Sequence, residues 1–150
     1  MVMGVGNPLR RDDAAGLELV RALKGRVPEQ VLLVECGPVP ENFLGPVLRE
    51  KPTHVLLVDV ALIDGPPGRA LLLRPEDERV SAAISTHKPP VKLIANFIRS
   101  SVGAEVAILA IKPLDVGLGE GLSPELEKAI TRLAGELISV LRSCFGSSRR

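Results

Sequence analysis

Apolar residues fall in two regimes along this chain. Val31-Leu32-Leu33-Val34 and Val55-Leu56-Leu57-Val58 are near-continuous apolar runs of strand length, the pattern of parallel strands buried on both faces. Glu105 to Ile111 reads as a further, final strand. Between the runs the spacing turns helical. Leu17, Val20 and Leu23 share one face, with Gly25 as the stop, and Val91, Ile94, Ala95 and Ile98 share another across Val91–Ser100. Met1-Val2-Met3 is a short first strand, either stunted or lacking residues from its start. A second helix is expected over much of Glu41 to Glu50, starting late or kinked at Pro46. After the turn Asp64-Gly65-Pro66-Pro67-Gly68, the strand Ala70 to Arg74 has no room for a crossover helix before it. It should therefore run antiparallel at an edge. Ser85 to Pro90 is a loop. Ser123 as N-cap and Pro124 at the first helical position open a last helix to about Leu141, and Gly146–Arg150 should fray.

The order βαβαβ–β–αβα predicts an α/β three-layer sandwich. Its sheet is five-stranded and mostly parallel, with one antiparallel edge strand and helices on both faces. The 150 residues suit a single domain, 1–150, with room for a hydrophobic core.

Topology directs attention to Gly4-Val5-Gly6-Asn7-Pro8-Leu9-Arg10-Arg11-Asp12-Asp13-Ala14-Ala15-Gly16. This is how a strand reads when it stops, turns and enters a helix. In open α/β sheets, ligands bind outside the carboxyl ends of the strands. Asp13 follows the first strand, Asp59 ends the third, and His87 lies in a loop leading to a helix, so all three belong near that edge. Two carboxylates and an imidazole suit a divalent transition metal and leave coordination positions open. Plainer readings compete. Asp12 and Asp13 could serve the positive end of a helix dipole, and a loop histidine is more often a surface residue. Asp59 resists such a reading, because a carboxylate in Leu-Leu-Val-Asp-Val is costly unless paired. His54 falls at the opposite edge and takes no role. Cys36 reads as a core thiol, or else as a soft neighbour of the site; with His87 and Asp59 it also forms a formal cysteine-protease set.

Other chemistries lose support from missing residues. Leu9 occupies the third glycine position of GxGxxG, no phosphate-binding GxxxxGK motif is present, and the GxSxG nucleophile elbow is absent. Three Phe with no Trp or Tyr leave no stacking platform for single-stranded nucleic acid, and a net charge of +1 argues against a general nucleic-acid binder. Two cysteines without a CxxC indicate neither a zinc ribbon nor a disulfide framework. With no membrane-length apolar run and no secretory signal, membrane insertion is not expected and a cytoplasmic location is.

The chain resembles the hydrogenase maturation proteases. Gly4-x-Gly6-Asn7-Pro8-Leu9-x-x-Asp12-Asp13-x-x-Gly16 is close to the family signature GxGNxLxxDDGxG, with Ala14 in place of the glycine after the acidic pair. Val58-Asp59-Val60 matches the strand-end aspartate and Ser85-Thr86-His87 the histidine segment. Gly37-Pro38-Val39-Pro40-Glu41-Asn42 and Thr86-His87-Lys88-Pro89-Pro90 look most like the branch serving formate-hydrogenlyase-type hydrogenases. The resemblance implies an endopeptidase that trims the C-terminal extension from a [NiFe]-hydrogenase large-subunit precursor. It implies Asp13, Asp59 and His87 as the metal-binding and catalytic set. It also implies that the nickel recognised is already loaded in the precursor, zinc or cadmium being substitutes in vitro. The partner is then that precursor, and the protein is expected to be a monomer. A non-catalytic maturation chaperone sensing nickel or precursor through the same pocket is the alternative.

Overall fold

The computed structural model describes residues 1–82 and 91–146. Among them, five strands form one sheet in the order β2-β1-β3-β5-β4. The strands are β1 (Val2–Val5), β2 (Leu33–Gly37), β3 (His54–Val60), β4 (Ala70–Leu73) and β5 (Glu105–Ile111). β1 pairs in parallel with β2 and β3, and β3 in parallel with β5. β4 is antiparallel to β5 at one edge, as the tight turn before it requires. The α/β class and the mixed five-stranded sheet are thus as expected.

Alternate strand residues feed two cores. Val2, Val58, Leu109 and Ile111 pack with α1 (Ala15–Leu23) and α5 (Pro124–Phe145). Met3, Val5, Leu57, Ile108 and Ala110 pack on the other face with α2 (Leu44–Glu50) and α4 (Val91–Val102). This is the three-layer arrangement that period-two strands and 3.6-period helices can satisfy together.

Three local readings change. β2 is only half-buried apart from Cys36, and it begins at Leu33 rather than Val31. It is an edge strand, with a neighbouring strand on one side only. Gly4 pairs with Glu35 but Val5 with Gly37, which makes Cys36 the extra residue of a bulge. The second helix divides into a 3₁₀ turn, Pro40–Phe43, and α2, with Pro46 inside the first turn where its missing N–H is not needed. A short helix not foreseen, α3 (Glu78–Ala82), follows Asp77, whose Oδ1 accepts from the Arg79 N–H at 2.9 Å. α5 opens as expected, the Ser123 hydroxyl accepting from the Leu126 N–H at 3.4 Å. It runs on to Phe145. The expected frayed tail falls, apart from Gly146, outside the described residues.

Candidate active site

β1 leaves the sheet through Gly6, whose φ is +149°. A Cβ there would stand 1.8 Å from the Asp13 carbonyl oxygen, so only glycine lets the returning turn come this close. The chain then folds back on itself. The Asn7 side chain accepts from the Leu9 N–H at 2.9 Å, and the Asp13 N–H donates to the Arg10 carbonyl at 2.9 Å. The Asn7 N–H donates to Asp13 Oδ2 at 2.9 Å, aiming that carboxylate along the exit of β1. Residues Arg11–Ala14 form a 3₁₀ turn that runs straight into α1.

Asp12, Asp13 and Asp59 are the buried acids among the described residues, 0%, 6% and 7% exposed. The two neighbours do different work. Asp12 does not cap its own helix, contrary to the dipole reading. Its Oδ2 accepts from the Leu114 and Asp115 N–H groups at 2.9 and 3.0 Å and from the Ser123 hydroxyl at 2.9 Å. Its Oδ1 accepts from the Ser123 N–H at 2.7 Å. It therefore serves the N-terminus of α5 and the loop before it, where its charge also meets the positive end of a long helix. Sequence offered one hint of this divergence: adjacent helical residues point about 100° apart and cannot face one target.

Asp59 sits near the carboxyl end of β3, opposite Ala110 of β5. Its Oδ1 accepts from the Val60 N–H at 2.8 Å. It borders a small cavity of about 20 Å³ with Leu73, Val80, Val91, Ile108 and Ala110. In so apolar a lining a carboxylate is not a packing choice. Asp13 and Asp59 reach the same carboxyl edge from the neighbouring strands β1 and β3. The start of α1 rests on both strand ends, a Cβ at Gly16 falling 2.4 Å from the Val58 carbonyl oxygen and 2.5 Å from that of Val5.

His87 lies outside the described residues. Val80 of α3 and Val91 at the start of α4 both border the Asp59 cavity. Among the described residues no three His, Cys, Asp or Glu side chains gather closely enough to hold a metal ion. His54 begins β3 at the other edge, exposed, its Nδ1 3.0 Å from the Thr53 hydroxyl oxygen. Cys36 is buried, and burial pushes its thiol up to about 12. It packs in the apolar core, where burial disfavours the thiolate that a cysteine protease would need. Chemically, the two acids offer hard oxygen donors to a divalent cation and proton acceptors to water.

A family model described as hydrogenase maturation protease matches residues 17–140. A hydrogenase maturation protease-like protein of Methanocaldococcus jannaschii is 31% identical over 149 residues, 94% of this chain and 87% of that protein. The hydrogenase 3 maturation protease of Escherichia coli K12 is 25% identical, covering 87% of this chain and 83% of that one. Among solved structures, a [NiFe] hydrogenase maturation protease from Thermococcus kodakarensis superposes with a TM-score of 0.85 at 30% identity, over 94% of this chain and 90% of that chain.

Proposed function

Because the chain belongs to the hydrogenase maturation protease family, we propose that it is an endopeptidase acting on a [NiFe]-hydrogenase large-subunit precursor. It removes the C-terminal extension after nickel insertion, and Asp13, Asp59 and His87 meet the nickel that the precursor carries. The observation that carries this reading is the arrival of two buried acids, Asp13 and Asp59, at one sheet edge from adjacent strands. The donor set also supports it: two carboxylates and an imidazole are suited to a divalent ion and leave positions for the precursor's own ligands. So few protein ligands bind an ion weakly unless the substrate completes the set. Nickel in the precursor then becomes the condition for productive docking. In the reaction a water adds to the scissile carbonyl, the C–N bond breaks, and the tail leaves with a new amino terminus. On this reading a buried carboxylate at this edge takes the water's proton. The protein is taken to act in the cytoplasm, as a monomer.

The deciding experiment incubates the protein with the purified precursor, nickel-loaded or nickel-free, and weighs the products by mass spectrometry. Loss of the C-terminal extension only from the loaded precursor is expected. Cleavage indifferent to nickel would remove the nickel-reading role. Nickel-dependent association without cleavage would make the protein a maturation chaperone.

A further inference from the structure

We propose that Asp12 is a positioning residue for Asp13, holding the site turn against the β5–α5 loop so that the Asp13 carboxylate keeps its orientation. The proposal rests on Asp13 being functional, as read above. The four side-chain hydrogen bonds of Asp12 among the described residues come from Leu114, Asp115 and Ser123, and none comes from Asn7, which donates to Asp13. Those donors lie 102 to 111 residues further along the chain, and the carboxylate is wholly buried among them.

The turn it fastens is held under strain. Arg11 has φ +44°, the left-handed region that residues other than glycine avoid. Such a conformation persists only where its surroundings enforce it. The enforcement is visible on both sides of the residue. The Arg11 N–H donates to the Gly119 carbonyl at 2.9 Å, the Gly119 N–H to the Leu9 carbonyl at 2.9 Å, and the Asp12 N–H to the Asp115 carbonyl at 3.0 Å. The side chains add to it, Arg10 Nε donating to the Val116 carbonyl at 3.0 Å and Arg11 Nε to that of Leu118 at 3.2 Å. Of these fastenings, only the Asp12 carboxylate is buried and charged, and it alone reaches the end of α5. Without it, Arg11 can relax toward negative φ, the 3₁₀ turn rotates, and Asp13 Oδ2 leaves the Asn7 N–H. Asp12 thus acts on the reaction through its neighbour, without touching substrate.

The test is Asp12→Asn. The amide nearly conserves shape, but its NH₂ must face an N–H donor whichever way it is turned. Hydrogen exchange of the Asn7 amide, followed by NMR on the folded protein, is expected to quicken about tenfold. The Glu105 amide, bonded to the Thr53 carbonyl at the far edge, should keep its wild-type protection. With nickel-loaded precursor, kcat should fall about tenfold while KM stays near wild type. Ile138→Ala, which loosens α5 in its buried interior, serves as the stability control and should leave both readouts unchanged. If Asp12→Asn does not fold, Ser123→Ala removes one donor to the same carboxylate and should shift Asn7 exchange the same way by a smaller factor. Wild-type Asn7 exchange in the Asp12 variant, or equal effects from Ile138→Ala, would overturn the proposal. Failure of the wild-type protein to cleave the precursor would sink the protease reading alone, because Asn7 exchange reports on the positioning without it.

Discussion

Gly4 and Gly16 meet across the β1–α1 junction with no room for a methyl group on either. A Cβ on Gly4 would stand 2.3 Å from the Gly16 carbonyl oxygen, and one on Gly16 would press on the carbonyls of both Val58 and Val5. The first turn of α1 is therefore seated directly on the ends of β1 and β3. The two strands that deliver Asp13 and Asp59 are held in one frame by the absence of two side chains.

Gly16→Ala should accordingly be far worse than an ordinary helix substitution. Alanine favours the helix by up to about 1 kcal/mol, but here the methyl meets backbone on two strands and no flexible side chain can yield. The expected net loss is about 3 kcal/mol, read from urea unfolding. A variant as stable as the wild type would mean that α1 can lift from the sheet without penalty.

What sequence could reveal divides by range. β3 and α4 were legible because Val55–Val58 and Val91–Ile98 carry strong periodic patterns of their own. The first turn was legible because glycines, Asn7 and paired acids mark a strand entering a helix. The Asp12 bonds were not, since Leu114 and Ser123 lie 102 and 111 residues away and no local pattern records such a pairing. β2 misled for a related reason. An apolar run reads alike at a sheet centre and at an edge, and only the strand order shows that one side of it has no neighbour. α3 went unread because five residues are too few to show a helical period. Asp59 stood out as a costly acid in an apolar strand and Asp13 as one of a pair after the first strand. The expected strand order already put both near the carboxyl edge, because one ends a parallel strand and the other follows one.

Cys36 should be chemically silent. Burial holds its thiol near 12, so almost none is thiolate at neutral pH, whereas Cys144 is exposed. In the folded protein a maleimide reagent is expected to modify Cys144 rapidly and Cys36 only on unfolding. Precursor cleavage should survive both the reagent and Cys36→Ala. Loss of cleavage on modification of Cys36 would restore it to the site.

Glu35 gives the fold a modest acid sensitivity. Hydrogen bonds from Lys24, then from Arg21 at 2.8 Å, outweigh its burial and hold its carboxyl below the ordinary 4.5. The folded state thus binds its proton less readily than the unfolded chain. The stabilisation is complete above about pH 4.5 and fades as pH falls through the lowered value. These partners are partly solvated, so the contribution is about 0.5 kcal/mol. Glu35→Gln should lower stability by that amount at pH 7 and by nothing at pH 2.5, roughly two units below the ordinary carboxyl value. Urea unfolding at the two pH values, in low salt, makes the comparison; an equal gap at both would remove the ion pair as the cause.

Asp13 and Asp59 should separate activity from stability, and Asp12 should not. An amide at position 59 keeps an oxygen for the Val60 N–H and removes a charge from an apolar lining. An amide at position 13 keeps an oxygen for the Asn7 N–H and removes one of two negative charges at the same edge. Neither change opens a cavity, and each keeps the described N–H bond. Asp13→Asn and Asp59→Asn are therefore expected to unfold at or slightly above the wild-type temperature. Both lose an anionic oxygen that can accept a proton or meet a cation, so processing of the nickel-loaded precursor should fall at least about a hundredfold. Asp12→Asn sets an N–H against an N–H in a fully buried site, and should lose about 2 kcal/mol of stability. Thermal melts and cleavage rates for the three variants, measured together, give the pattern. A melt in which Asp13→Asn is as damaged as Asp12→Asn would make Asp13 a structural acid. A normal cleavage rate in a stable Asp13→Asn would remove it from the chemistry.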